Sequence, residues 1–189
     1  IPLITFIDTV GHNMSYKEEI QGIGISLGDT MLSMAEFSSP SISVLIGSGG
    51  TETALSLDIS DRRLMLENSV LVLGDNRDDK DSLHNPTVIG EKECIDLNII
   101  DSVIPEPVGG MHLNPDECFS LLRKFLMIEL AQLNKRSERS RFKDKYKKFR
   151  TISDLNNSYI SNLANEAISA KSKLAKYITE KLKNKKVTA

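Results

Sequence analysis

The chain has 189 residues, 40% of them hydrophobic, and a formal net charge of −2, which suits one domain with a core of its own plus an extension. No apolar run approaches the ~20 residues of a membrane-spanning helix. The near-neutral total conceals an asymmetry: residues 134–189 hold 16 of the 24 Lys and Arg but 5 of the 26 Asp and Glu, so a basic tail follows an acidic body.

The first residues, ITFID, already read as a strand from Leu3 to Ile7, so sequence is expected before Ile1. The strand leaves through Asp8, Thr9, Val10 and Gly11. From Glu19 onward, Ile20, Ile23, Leu27, Met31 and Met34 recur at spacings of three and four, which predicts a helix with one buried face. Gly22, Gly24 and Gly28 weaken it, and close packing against a neighbour is the expected reason for them. Ser38-Ser39-Pro40 ends the helix.

Ser41 to Leu57, SISVLIGSGGTETALSL, is the most informative stretch. Ile42, Val44, Leu45 and Ile46 predict a strand covered on both faces. Gly47, Gly49 and Gly50 then make a turn, and Thr51 or Thr53 can cap the helix begun by Ala54, Leu55 and Leu57. Amides at such a helix start can hold a phosphate or a developing oxyanion. The bland alternative, a glycine turn used only for packing, stays open at this point.

Two short strands, Arg63 to Glu67 and Val70 to Leu73, come next. Gly74 to Pro86 is a polar loop whose acids lack the calcium-loop spacing. A short helix (Glu91 to Asn98) and a strand (Ile99 to Ile104) lead to Asn114-Pro115-Asp116-Glu117, a strong helix start that continues to about Leu133. Alternating strand and helix over residues 1–133 predicts an α/β domain with a mostly parallel sheet. Residues 134–189 form a basic tail of one or two amphipathic helices. Phe142, Tyr146 and Phe149 make a stripe there, and Ile160 to Tyr177 keep a seven-residue pattern. A solvated charged face suits that spacing better than nucleic-acid binding.

Cys94 and Cys118 have no C-x-x-C partner, which suits buried reduced thiols in a reducing compartment. His12, His84 and His112 have no ligand spacing and read as surface or loop residues, so no metal is expected.

Four segments in order, PLITFIDTVG, SPSISVLIGSGGTETALS, DRRLMLENS and IDSVIPEPVGGMHLNP, resemble the carboxyltransferase α subunit of the multisubunit acetyl-coenzyme A carboxylase. The resemblance covers about residues 1–150, through KDKYKKFR. It implies the crotonase-type spiral of β-β-α units, with roughly its first half preceding Ile1 and a helical extension at the C-terminus. It implies a hetero-oligomer with a carboxyltransferase β subunit and a biotin carrier protein, in bacterial cytoplasm or plastid stroma. The carboxyl group passes from carboxybiotin, presented by the carrier and not bound as a resident cofactor, to acetyl-coenzyme A, giving malonyl-coenzyme A. By the same resemblance, backbone N–H groups do the chemistry: Gly11, Gly49, Gly50, Glu52 and Thr53 take the oxyanion positions, and Gly109, Gly110 and His112 fall in the substrate-binding segment.

The departures from the family pattern bear on activity. Glu52 and Thr53 replace the second glycine pair of GEGGSGG, Val10 replaces a proline, and Ile23 stands where glutamine is usual. The charged loop after Leu73 is shorter than the family's and lacks its SPEG and ILW segments. A glutamate opposes a developing anion by sign. The expectation is therefore an α-type subunit with an impaired site, or, as the alternative, a catalytically degenerate α-like subunit kept for structure or regulation within a carboxylase or another large assembly.

Overall fold

The computed structural model describes residues 1–12, 15–73 and 87–152. The 74–86 loop and the seven-residue pattern from Ile160 to Tyr177 lie outside the described residues. Among the described residues, no helix is long and apolar enough to cross a membrane.

Strand β1 (Leu3–Thr9) is followed by helices α1 (Tyr16–Ile20) and α2 (Ile23–Glu36). Strand β2 (Ser41–Gly50) runs directly into α3 (Thr51–Leu57), then β3 (Arg62–Leu66) and β4 (Val70–Leu73). After the loop come β5 (Thr87–Ile89), α4 (Glu91–Asp96), β6 (Ser102–Ile104), α5 (Pro115–Asn134) and α6 (Glu138–Thr151).

The sheet runs β5-β4-β2-β3-β6, with β1 also paired to β2. All pairings are parallel except β4 with β5. The first half of β2, Ile42 to Leu45, pairs β3, and its end, Ser48 to Gly50, pairs β4. The sheet therefore curls around β2.

Because successive residues of a strand face opposite ways, β2 feeds two cores. Ile42 and Val44 join Leu64, Leu66 and Ile104 beneath α5. Leu45 joins Ile7, Met65 and Ala54 on the other face, covered by α3 and α4. Each such fully buried aliphatic side chain contributes about 1.5–3 kcal/mol, which makes β2 the strand the fold cannot lose. Helix α5 starts as its sequence predicts: Asn114 Oδ1 accepts from the Glu117 N–H, Pro115 occupies the first turn, and Asp116 and Glu117 meet the positive helix end.

The helix expected from Glu19 is two helices. Gly22 sits at φ 83°, in the left-handed region, and separates α1 from α2. Of the apolar stripe Met34 is buried, Ile23, Leu27 and Met31 are half-buried, and Ile20 is 66% exposed. A Cβ at Gly24 or Gly28 would meet nothing within 4 Å. Close packing therefore does not account for those two glycines among the described residues.

The domain boundary also moves. The compact unit runs from Ile1 to Ile152 and includes α6, so it ends beyond the expected division at residue 133. The reason is electrostatic. Arg141, Lys145 and Lys148, spaced four and three apart, lie on one face of α6. Arg141 Nη2 donates to Ser38 O and Lys145 Nζ to Met34 O at 3.2 Å. Lys148 Nζ donates to Asp61 O at 2.9 Å and to Asp101 Oδ2 at 2.6 Å. Lys145 is the buried residue of α6, whereas Phe142 and Tyr146 are more than half exposed. The inward stripe of α6 is cationic, and of the expected aromatic stripe only Phe149 turns inward, its ring stacked on the Arg63 guanidinium at 4.8 Å.

Candidate active site

The glycine turn is built by a register shift. Ile7 lies opposite Leu45 but Thr9 lies opposite Gly49, so β2 carries extra residues over that step and bulges. Asp8 holds the bulge: its Oδ1 accepts from the Ser48 N–H at 2.9 Å. A Cβ on Gly47 would stand 2.4 Å from that same oxygen. Only glycine leaves room for the carboxylate.

The bulge brings the ends of β1 and β2 together. A Cβ on Gly50 would lie 2.2 Å from the carbonyl carbon and oxygen of Val10 and 2.5 Å from Gly11 N. Gly11 itself is at φ 93°. The structure thus places Gly11 against Gly50, main chain to main chain. Gly49 faces the core instead, where its Cβ would meet Leu45 Cδ1 at 2.9 Å and Leu71 Cδ1 at 3.0 Å.

The N-cap of α3 is Gly50, so neither expected threonine closes the helix start and no side chain caps it. The first-turn amides of Glu52 and Thr53 have no capping partner there. The Gly11 N–H, by contrast, donates to Thr9 Oγ1 at 3.1 Å. Glu52 is exposed and lines a cavity beneath the turn. Thr53 Oγ1 lies 3.3 Å from His12 Nδ1. His12, read from sequence as a surface or loop residue, is therefore part of this turn, and so is Asp8. Sequence signals existed for both: a carboxylate at a strand end just before a glycine, and a histidine just after it.

Gly109, Gly110 and His112 belong to a different corner, between β6 and α5, two strands from β2 in the sheet order. Both glycines have φ above 90°, which a side chain would strain. The corner is organised by Glu106, whose carboxylate accepts from the Asn68 N–H at 3.0 Å and the Met111 N–H at 2.8 Å. Partial burial raises its pKa, but those two amides outweigh it and hold the group below its usual value. The His112 ring lies beside Gly110. These interactions stay within the corner and the β3–β4 turn, and none of them reaches Gly50.

Under the sheet, Asp58 accepts from Ser43 Oγ, and burial pushes its carboxyl up to about 6 against the opposing pull of Arg63 and Ser43. Burial also lowers the Arg63 pKa, with Asp58 and Asp101 opposing it. Among the described residues, no group of three or more His, Cys, Asp or Glu is placed to hold a metal ion. The turn offers backbone amides, the His12 ring and two carboxylates, Asp8 bound to the Ser48 N–H and Glu52 exposed; amides at a helix start suit an anion, and Glu52 works against one.

A family model described as acetyl co-enzyme A carboxylase carboxyltransferase-like matches residues 1–153. The acetyl-coenzyme A carboxylase carboxyl transferase subunit alpha of Clostridium botulinum (strain Eklund 17B / Type B) is 32% identical over 165 residues, covering 82% of this chain and 60% of that protein. The protein of the same name from Staphylococcus saprophyticus is 33% identical over 162 residues, covering 80% and 51%. The chain thus spans between half and three-fifths of the length of these relatives.

Among solved structures, a Pseudomonas malonate decarboxylase hetero-tetramer in complex with malonate superposes with a TM-score of 0.63 at 13% identity, covering 88% of this chain and 67% of that one. A probable enoyl-CoA hydratase from Mycobacterium smegmatis gives 0.53 at 15%, covering 86% and 72%. At such identities the likeness is one of fold, and the fold is the α/β crotonase type. The chain belongs to the family of acetyl-coenzyme A carboxylase carboxyltransferase α subunits.

Proposed function

We propose that the chain is an α-type carboxyltransferase subunit, working beside a β partner to move a carboxyl group from carboxybiotin on a carrier protein to acetyl-coenzyme A, with a site slowed by Glu52. The relatives it matches are named as subunits, and a reducing compartment, bacterial cytoplasm or plastid stroma, suits its two free cysteines. The observation that carries the reading is the meeting of Gly50 with Val10 and Gly11. It joins the two strand ends main chain to main chain directly before the uncapped amides of Glu52 and Thr53.

The residues fit carboxybiotin in part. Carboxybiotin supplies the activated carboxyl group, and its ureido oxygen gains negative charge as that group leaves. The Glu52 and Thr53 amides at the uncapped start of α3 can donate to such an oxygen. The Gly11 N–H can do so only by leaving Thr9 Oγ1. The Glu52 carboxylate raises the energy of any anion held there. Two unit charges 4 Å apart near a protein surface interact by about 4 kcal/mol, and exposure of Glu52 to solvent reduces that.

Glu52 and the engaged Gly11 amide also support the second reading, a degenerate subunit that assembles without transferring. The test is carboxyl transfer by the full chain mixed with a β subunit and carboxylated carrier. Slow transfer is expected, rising about tenfold in Glu52→Gln, a change of about 1.4 kcal/mol. A complex that forms but transfers nothing, with glutamate or glutamine at position 52, would establish the degenerate reading instead.

A further inference from the structure

Helix α6 has a second face, turned away from the body. At about 100° per residue, Phe142, Tyr146, Arg139, Arg150, Lys143 and Lys147 follow one another across about 140° of the helix surface, and no other residue of Glu138–Thr151 falls among them. All six are exposed, Phe142 by 55% and Tyr146 by 57%. The arc lies opposite Lys145 and Lys148, which dock α6 on the body.

Two aromatic rings and four cations make up the whole arc, with no acid among them. Among the described residues, no carboxylate pairs with Arg139, Lys143 or Lys147. Arg150 turns to Tyr146, its guanidinium 5.7 Å from the ring centroid and its Nη1 donating to the phenol oxygen at 3.0 Å. The spacing of Phe142 and Tyr146 suits a buried seam, and around such a seam the charges would be a solvated rim. In the structure the two rings instead face outward beside the cations, one helical turn or about 6 Å apart.

We propose that this arc of α6 binds single-stranded nucleic acid, with bases stacked on Phe142 and Tyr146 and phosphates on the four cations. Such a surface needs two parts, rings on which any base can stack and cations that meet the backbone charge, and the arc holds both and nothing else. From Arg139 to Arg150 the cations run along about 16 Å of helix, enough for a strand of roughly four nucleotides. An acidic protein segment would satisfy the cations but leave the rings without stacked partners. A membrane surface asks for a broader apolar face than two rings. The site goes beyond the carboxyl-transfer reading and stands whether or not that reading holds.

The experiment is fluorescence anisotropy of a labelled oligothymidylate of about twelve nucleotides, titrated with the full chain over a series of salt concentrations. Saturable binding is expected at about 1–100 μM. Lys143→Gln with Lys147→Gln should weaken it roughly 25-fold at about 0.1 M salt and lower the slope of log affinity against log salt by about 1.4, since each phosphate contact on a single strand contributes about 0.7. The same charge change off the arc, Lys17→Gln with Lys92→Gln, should leave affinity within about twofold and the slope unchanged. Phe142→Ala should weaken binding at least about fivefold with the slope unchanged, and Phe142→Tyr, which keeps a ring, should bind as the unaltered chain does. Polyglutamate of equal charge, competing for the unaltered chain, separates stacking from charge without any variant and should bind at least about fivefold more weakly. Four results would each overturn the proposal: no saturable binding below millimolar concentration, the off-arc pair weakening binding as much as the arc pair, undiminished binding in Phe142→Ala, or polyglutamate binding as tightly as oligothymidylate.

Discussion

Gly47→Ala and Asp8→Ala should suppress each other. Alone, Gly47→Ala puts a methyl group 2.4 Å from Asp8 Oδ1 and 2.7 Å from its Cγ. The carboxylate cannot move away without giving up the Ser48 N–H. Overpacking of this kind costs about 2 kcal/mol, offset by the roughly 0.7 kcal/mol that alanine gains over glycine in a strand. Alone, Asp8→Ala loses one exposed hydrogen bond to a charged acceptor, about 1 kcal/mol. In the double variant the methyl group has room, so the loss is about 0.3 kcal/mol where simple addition of these terms gives about 2.3. The coupling of about 2 kcal/mol corresponds to roughly 1 M in the urea midpoint. The four proteins of the cycle should be unfolded in urea and followed by far-UV circular dichroism. Additivity within about 0.5 kcal/mol would refute the contact, and with it the account of why β2 bulges at Gly47.

Asp58 predicts a pH dependence. Its folded pKa of about 6 lies above the ordinary 3.8, so between about pH 4 and 6 the folded state binds more protons than the unfolded. Stability from this group therefore falls as pH rises through that window, by at most about 3 kcal/mol. Asp58→Asn should flatten this part of the urea-midpoint profile; an unchanged slope would place the group in ordinary solvent. Ion pairs should rank by burial. Lys148→Met strands Asp101, to which it donates at 2.6 Å with both side chains less than a quarter exposed, and should cost about 2 kcal/mol, recovered in part by adding Asp101→Asn. Arg136→Ala removes a pair with Asp144 that is nearly half exposed on both sides, and should cost under about 1 kcal/mol. Equal losses in thermal unfolding would contradict the inward docking of α6.

Much of the sheet was legible because local pattern and burial agree there. The unalternating run at Ile42 to Ile46 marked a strand covered twice, and Asn114 with Pro115 marked the start of α5. What was hidden depends on partners far along the chain. Lys145 and Lys148 read as solvated charge because no periodicity announces an acceptor 111 or 47 residues away. Phe142 and Tyr146 read as the buried stripe because aromatic residues usually are. The break at Gly22 was obscured by apolar spacing that continues across it. In the turn, the glycines were visible but the groups that set them, Asp8 through Ser48 and His12 against Thr53, were not, since each contact joins segments about forty residues apart.

The two halves of the turn answer to different physics, and this decides how its departures from the family pattern act. Geometry is held by backbone and by Asp8: the bulge, the approach of Gly50 to Val10, and the left-handed Gly11. None of these involves Glu52, and Thr53 joins the turn only through its 3.3 Å contact with His12. Side chains in place of two glycines at those positions leave their N–H groups in the first turn of α3, so the frame that the proposed oxyanion site needs is kept while its charge changes. A fold defect at Glu52 would lower stability and partner binding together with transfer. A purely electrostatic one lowers transfer alone, and neutralising the carboxylate reverses it. Stability of the Glu52→Gln variant, measured beside its transfer rate, separates the two. The structure, with Glu52 exposed and no packing dependent on its charge, requires that only the rate should move.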